Sequence, residues 1–198
     1  MKLFTAALLA AFLFVSPLKA DLDPVQPLKN KQHQTFCTTF SINEKEDYWA
    51  TARHCVRAAQ ERGYGMFILG EKASVVFESV GDDDVAILEA ETDAPSLKLS
   101  KEPLEVGDEV VIKGFPYGLP RLIKVKGYLA AKGVPLGPGA PISDILDITV
   151  AGGNSGSPVL NEDGKVVGLL WGGFVNSPHA ASIPWETLKR IVGDYFKH

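Results

Sequence analysis

From residue 35 to residue 183 the chain is written in short apolar runs, each broken after a few residues by glycine, proline or acidic turns. Runs of four to eight residues rich in Val, Ile, Thr and aromatics suit strands better than helices. "TFCTTFSI" and "DYWATA" flank "NEKE", which predicts a hairpin; "GMFIL", "ASVVFESV" and "DVAILEA" follow. After a connecting stretch near 95–106 comes a second set: "EVVIKGF", "LIKVKGYLA", "ILDITV", "SPVLNEDGKVVGLLWGG" and "AASIP". Asp163-Gly164 in "NEDGK" suits the positive φ of a tight hairpin turn. "GVPLGPGAP" (133–141) predicts a surface loop. The first long helical pattern is the last: Pro184 suits a first turn, and Trp185, Leu188, Val192 and Tyr195 share one face. The expectation is an all-β fold of two small barrels, over 35–95 and 104–183, with a C-terminal helix over 184–197. Residues 21–34 read as a polar leader into the first barrel. A ligand would occupy the crevice between the barrels.

The opening "MKLFTAALLAAFLFVSPLKA" differs from the rest. A lysine, an apolar run from Leu3 to Val15 and a polar stretch ending at Ala20 predict a secretory signal over 1–20. Removing Lys2 and Lys19 takes the net charge from −4 to −6. That acidity, with no basic block, argues against a nucleic-acid partner. The expected location is periplasmic or secreted, with no stable membrane insertion once the signal is gone. In an oxidising compartment Cys37 and Cys55, the two cysteines of the chain, are most simply a disulfide. A reactive thiol or a metal ligand pair are the alternatives; without paired histidine spacing the metal signal is poor, and no metal or cofactor is expected.

Hydrolysis by a covalent route needs a nucleophile, a base that cycles its proton near neutrality, and an orienting carboxylate. Histidine is the natural base because its ordinary pKa is about 6.5. Of the four histidines, His33 lies in the polar leader and His198 at the terminus, while His54 lies beside Cys55 in "WATARHC" at the end of an apolar strand. In "GDDDVAILEA", Asp84 is the acid that enters the apolar strand, so it is the one to be buried; Asp82 and Asp83 are expected outside. Ser155 lies in "AGGNSGSPVL". Gly152 and Gly153 allow backbone conformations costly to other residues. Such a bend can aim the N–H groups of Gly153 and Ser155 at one point.

"TARHC", "DDDVAIL" and "GGNSGSP", in the chain order His, Asp, Ser, resemble the trypsin-like serine proteases of the chymotrypsin fold. The resemblance covers the chain from Phe36 to Ile183 and implies two six-stranded antiparallel barrels. It implies Ser155 as nucleophile, His54 as the base that later returns the proton, Asp84 as the group holding the imidazole, and Gly153 and Ser155 as the oxyanion hole. The Cys37–Cys55 pair matches the bridge that family often places beside its histidine. "GGNSGSPVLNEDGKVVGLLWGG" and "AASIPWETL" are similar to bacterial glutamyl endopeptidases and, more distantly, to HtrA-type proteases. No PDZ domain follows the final helix, so caged chaperone-protease behaviour is not expected.

The resemblance also frames specificity. Glutamyl endopeptidases carry a histidine where this chain has Leu170, and a threonine where it has Val150. Both differences remove polar groups from the expected pocket. With Trp171, Gly172 and Gly173 along the substrate groove, an apolar or small residue before the scissile bond is expected, unless His179 reaches the pocket and restores an acidic preference. Asn154 stands where zymogen-activated members carry the aspartate that pairs with a freed N-terminus, so no such activation is expected. Arg53 is bulkier than the small residue common before the histidine in animal enzymes. If it filled the cleft, a binding role on the same fold would be favoured. Protein or peptide substrates and a monomeric state are expected.

Overall fold

The computed structural model describes residues 22–42 and 47–195, with the side chains of residues 194 and 195 outside that description. The predicted signal, the "NEKE" turn, His198 and the side chain of Tyr195 therefore lie outside the described residues. Twelve strands form two closed barrels of six. The first contains β1 (Val25–Lys29), β2 (Thr35–Ser41), β3 (Tyr48–Thr51), β4 (Met66–Ile68), β5 (Glu71–Glu78) and β6 (Ala86–Glu89), in the order β1-β2-β3-β6-β5-β4. The second contains β7 (Glu109–Gly114), β8 (Ile123–Pro135), β9 (Ile142–Asp147), β10 (Pro158–Leu160), β11 (Val166–Gly173) and β12 (His179–Pro184), in the order β10-β11-β12-β9-β8-β7. All pairings within the barrels are antiparallel. Helix α2 (Trp185–Tyr195) follows β12 directly.

Closure leaves no exposed sheet edge and turns alternate residues inward. β7 shows this plainly, with Val110, Ile112 and Gly114 buried and their neighbours half-buried. The second barrel closes on Val110, Ile112, Leu129, Leu146, Val159 and Leu170. The first closes on Leu28, Phe40, Trp49, Ile68, Ile87 and Leu88, all fully buried, and its apolar cluster continues through Phe115, Leu169 and Ile183 to Leu188, Ile191 and Val192 of α2. The connector is held along the way: Ser100 N–H donates to Val166 O at 2.8 Å, and Trp185 Nε1 donates to Ser100 O at 3.0 Å.

Four boundaries differ from the sequence reading. Residues 25–29, expected in a leader, form β1 and close the first barrel, with Val25 opposite Phe40 and Leu28 opposite Cys37. Two apolar side chains three residues apart, with Pro27 between them, carry no period-2 signal, yet both are fully buried. His54 lies on a helix, α1 (Arg53–Glu61), rather than at a strand end; its buried positions are Arg53, Cys55, Val56 and Ala59, too small or too polar to read as an apolar face. The loop expected at 133–141 begins at Leu136, because β8 continues to Pro135 against Ile142. Pro184 is the last residue of β12 rather than the first of the helix.

Asp144 on β9 is 9% exposed and accepts a hydrogen bond from Gly133 N–H at 3.0 Å. Burial raises its pKa above the ordinary aspartate value, outweighing the Gly133 bond that lowers it. The folded chain therefore disfavours the charged form more than the unfolded chain does, and stability is lost as pH rises through the folded pKa. Asp144→Asn keeps an acceptor for Gly133 and removes the charge. Thermal melts should show a higher midpoint for the variant at pH 8, with the gain vanishing towards pH 3.

Candidate active site

The expected residues converge where the barrels face each other. The first turn of α1 carries His54 and the entry to β6 carries Asp84. Asp84 is 7% exposed, and its carboxylate takes two hydrogen bonds from one residue: His54 N–H to Oδ1 at 2.7 Å and His54 Nδ1 to Oδ2 at 2.6 Å. A carboxylate only accepts, so Nδ1 carries the proton and Nε2 presents a free lone pair. The His54 side chain remains 47% exposed, so that lone pair is open to the cleft. As expected, Asp82 is exposed, whereas Asp83 is half-buried and pairs with Arg190 at 2.9 Å.

Arg53 does not fill the cleft. Its guanidinium turns inward, Nη1 donating to Ser79 O at 2.5 Å and Nη2 to Gly81 O at 3.0 Å, while its backbone N–H donates to Asp84 O at 3.2 Å. The residue suspected of obstruction instead ties down the loop that delivers Asp84. Cys37 and Cys55 form a disulfide that joins β2 to α1, with Cα atoms 6.3 Å apart. His54 Nε2 lies 3.7 Å from Cys55 Sγ. The two sulfurs are bonded to each other, so this cluster presents one imidazole rather than a thiolate metal set.

Ser155 stands on two successive turns. Asn154 N–H donates to Ala151 O at 3.1 Å and Ser157 N–H to Asn154 O at 2.9 Å. Gly153 (φ +97°) and Gly156 (φ +86°) occupy the third position of each, where a type II turn requires positive φ. The N–H groups of Gly153 and Ser155 donate to nothing among the described residues. The Ser155 hydroxyl donates to Trp171 O at 3.4 Å, and no hydrogen bond joins it to His54 among the described residues. Asn154 is 5% exposed, its carboxamide oxygen facing Gly114.

The cleft beside His54 has a volume of about 380 Å³ and is walled by Arg53, Arg57, Asp82 and Asp84 from the first barrel and by Gly139, Pro141 and Trp171 from the second. A larger hollow of about 670 Å³, around Glu102, Asp108 and Asp163, touches none of His54, Asp84 and Ser155. Trp171 is the residue at which the β11–β12 register shifts, and such a bulge re-aims a side chain. Its Nε1 donates to Ser143 Oγ at 3.0 Å, and that hydroxyl donates to Pro141 O at 2.9 Å. Val150 is half-buried and abuts Gly173. Leu170, expected to line the pocket, is 1% exposed and belongs to the core of the second barrel. His179 faces outward: its Nδ1 bonds Ser177 Oγ at 2.7 Å, and it lines a groove with Phe174, Val175 and Leu136. Sequence reading missed Thr38, Tyr117 and Ser143, which act through hydrogen bonds to residues distant along the chain.

A family model described as the trypsin-like peptidase domain matches residues 37–169. The chain is 32% identical over 147 residues to a probable periplasmic serine endoprotease, DegP-like, of Pseudomonas fulva, covering 71% of this chain and 30% of that protein. A relative of the same description from Hahella chejuensis is 32% identical over 154 residues, covering 74% of this chain and 32% of that one. The chain thus spans about a third of the length of these curated relatives. Among solved structures, the serine endoprotease from Yersinia pestis matches with a TM-score of 0.73 at 20% identity, over 86% of this chain and 62% of that one. An inactive form of Rv3671c from M. tuberculosis H37Rv matches with a TM-score of 0.68 at 20% identity, over 86% and 85%. At these identities the structures establish the fold.

The role of Arg53 can be measured directly. Arg53→Met leaves the carbonyls of Ser79 and Gly81 without their donor. Each lost bond to a charged group costs about 1.5–3 kcal/mol. Urea titration should show a clear fall in unfolding free energy, and Arg53→Lys, with a single ammonium for two carbonyls, should recover part of it.

Proposed function

The chain belongs to the trypsin-like peptidase family, and from that premise we propose that it is a serine endopeptidase working through an acyl-enzyme on Ser155. The observation that carries this reading is the charge arrangement around one point. The imidazole fixed by Asp84 and the Ser155 segment flank one sulfur, Cys55 Sγ lying 3.7 Å from His54 Nε2 and 3.9 Å from Ser155 O, and the N–H groups of Gly153 and Ser155 stand idle there.

In this mechanism Ser155 leaves the Trp171 carbonyl and turns to His54 when substrate fills the cleft; such bonds are often long before a substrate is bound. Oγ attacks the scissile carbonyl as Nε2 takes its proton. The new imidazolium is stabilised by the Asp84 carboxylate. The oxygen of the tetrahedral intermediate receives the N–H groups of Gly153 and Ser155. His54 then protonates the leaving amine, and water repeats the sequence to free the acid.

Relatives named as periplasmic endoproteases, a predicted signal over 1–20 and a disulfide support action in the periplasm or outside the cell. The pocket reading is apolar: Val150 closes against Gly173, Leu170 belongs to the core of the second barrel, and His179 is turned to the outer groove. A substrate carboxylate buried there would lack partners. Asn154, facing Gly114 rather than an amine, supports activity without a freed N-terminus.

The position of the Ser155 hydroxyl on Trp171 favours a second reading, a binding protein that has kept the residues without the reaction. A fluorophosphonate probe separates the two. It should label the folded chain and fail on Ser155→Ala; an unlabelled wild type would support the binding role. Pocket chemistry is read separately, from cleavage of a peptide library. Apolar or small residues should dominate before the scissile bond, and dominant cleavage after Glu or Asp would overturn the apolar pocket.

A further inference from the structure

Three peptide groups in a row make up the loop before Ser155, and each is held by its carbonyl. Gly152 O accepts from Tyr117 N–H at 2.6 Å, and Asn154 O from Ser157 N–H at 2.9 Å. In a trans peptide the N–H points opposite to the C=O. These two bonds therefore set the directions of the Gly153 and Ser155 N–H groups. The peptide between them is held by a side chain: Gly153 O accepts from Thr38 Oγ1 at 2.8 Å.

We propose that the Thr38 hydroxyl is a positioning group for the oxyanion hole, which it holds from the opposite barrel. The inference rests on the reading of Ser155 as nucleophile. Thr38 is 0% exposed on β2. Its Oγ1 also accepts from Phe115 N–H at 3.1 Å. Phe115 opens the turn Pro116–Gly118, in which Tyr117 donates to Gly152. One hydroxyl thus joins the loop that forms the hole to the segment that pins its first peptide. Its own location is secured on both sides, because Thr38 N–H donates to Ser155 O at 2.9 Å and Thr38 O accepts from Thr51 Oγ1 at 2.8 Å. The branched side chain has few rotamers to choose from.

Tyr117 adds to the case. It is 82% exposed and sits at φ +56°, a region that favours glycine, and the N–H of this strained residue is the one bonded to Gly152. Strain of that kind persists only where the surroundings hold it, and the Thr38–Phe115 bond is one such hold, beside the turn bonds from Gly118 N–H to Phe115 O and from Leu119 N–H to Pro116 O. Glycine at 153 would otherwise let the peptide turn over cheaply. A bare core-filling role for Thr38 predicts instead that its methyl matters and its hydroxyl does not.

Thr38→Val, Thr38→Ser and Thr38→Ala distinguish these roles. The fluorophosphonate probe is applied to wild type first, because its failure there overturns the peptidase reading itself. With a labelled wild type, kcat and KM are measured on a library-selected peptide, beside the affinity for a peptide aldehyde that forms a tetrahedral adduct. Losing one oxyanion donor outright costs about 10²–10³ in kcat, so loosening both should cost Thr38→Val about 10–100-fold. KM should stay nearly unchanged, aldehyde affinity should fall with kcat, and Thr38→Ser should remain near wild type. A Thr38→Val enzyme with wild-type kcat would overturn the proposal, as would a Thr38→Ser enzyme as slow as the valine variant. If Thr38→Val does not fold, the ratio of Thr38→Ser to Thr38→Ala decides: a tenfold or greater advantage for serine is expected, and equal rates overturn it.

Discussion

The two barrels meet backbone to backbone at Gly156. A Cβ there would lie 2.2 Å from Thr38 O and 2.4 Å from Thr51 Oγ1, and φ is +86°. Only glycine satisfies both the approach and the conformation. Because the strands come this close, Thr38 N–H reaches Ser155 O and its hydroxyl reaches Gly153 O. The serine belongs to the second barrel by sequence and is held by the first. On the other side of the cleft the disulfide ties the same strand, β2, to the helix that carries His54. One strand therefore references both halves of the site, and the separation of His54 and Ser155 depends on it.

His54 is oriented by the same economy of parts. Asp84 receives two donors from His54 alone, and the loop behind Asp84 is closed by Arg53, the residue before that histidine. Three consecutive residues, Arg53, His54 and Cys55, thus set the Asp84 loop, the imidazole and the anchor to β2. A helix of nine residues suffices because its first turn is pinned in three directions.

Much of this was legible in the chain. The two runs of short strands marked two barrels, and "RHC", "DDDV" and "GGNSGSP" marked the residues that meet, because each combines a chemical group with a local signature. β1 was not legible, since its buried residues, Val25 and Leu28, sit three apart around a proline, and only the pairing with β2 explains them. Whether Arg53 filled the cleft was left open, because sequence supplies bulk but not direction. Its partners are carbonyls 26 and 28 residues away. Thr38 and Ser143 were invisible for the same reason: a hydroxyl acting on a distant carbonyl or indole leaves no periodicity. Leu170 was assigned to the pocket, and His179 weighed as an alternative to it, without knowing which way each side chain turns.

The three glycines around Ser155 look alike in the sequence but answer to different constraints. Gly156 is required by the contact between barrels. Gly153 is required by its turn and by Phe115 O, which would lie 2.4 Å from an added Cβ. Gly152 is required by neither: its φ is not positive, and a Cβ built on it meets nothing within 4 Å. A side chain there would extend into solvent, leaving the fold intact. The backbone of Gly152 still matters, because its carbonyl on Tyr117 directs the Gly153 N–H. Two of the glycines thus build the loop through conformation and close contact, and the third through its carbonyl alone.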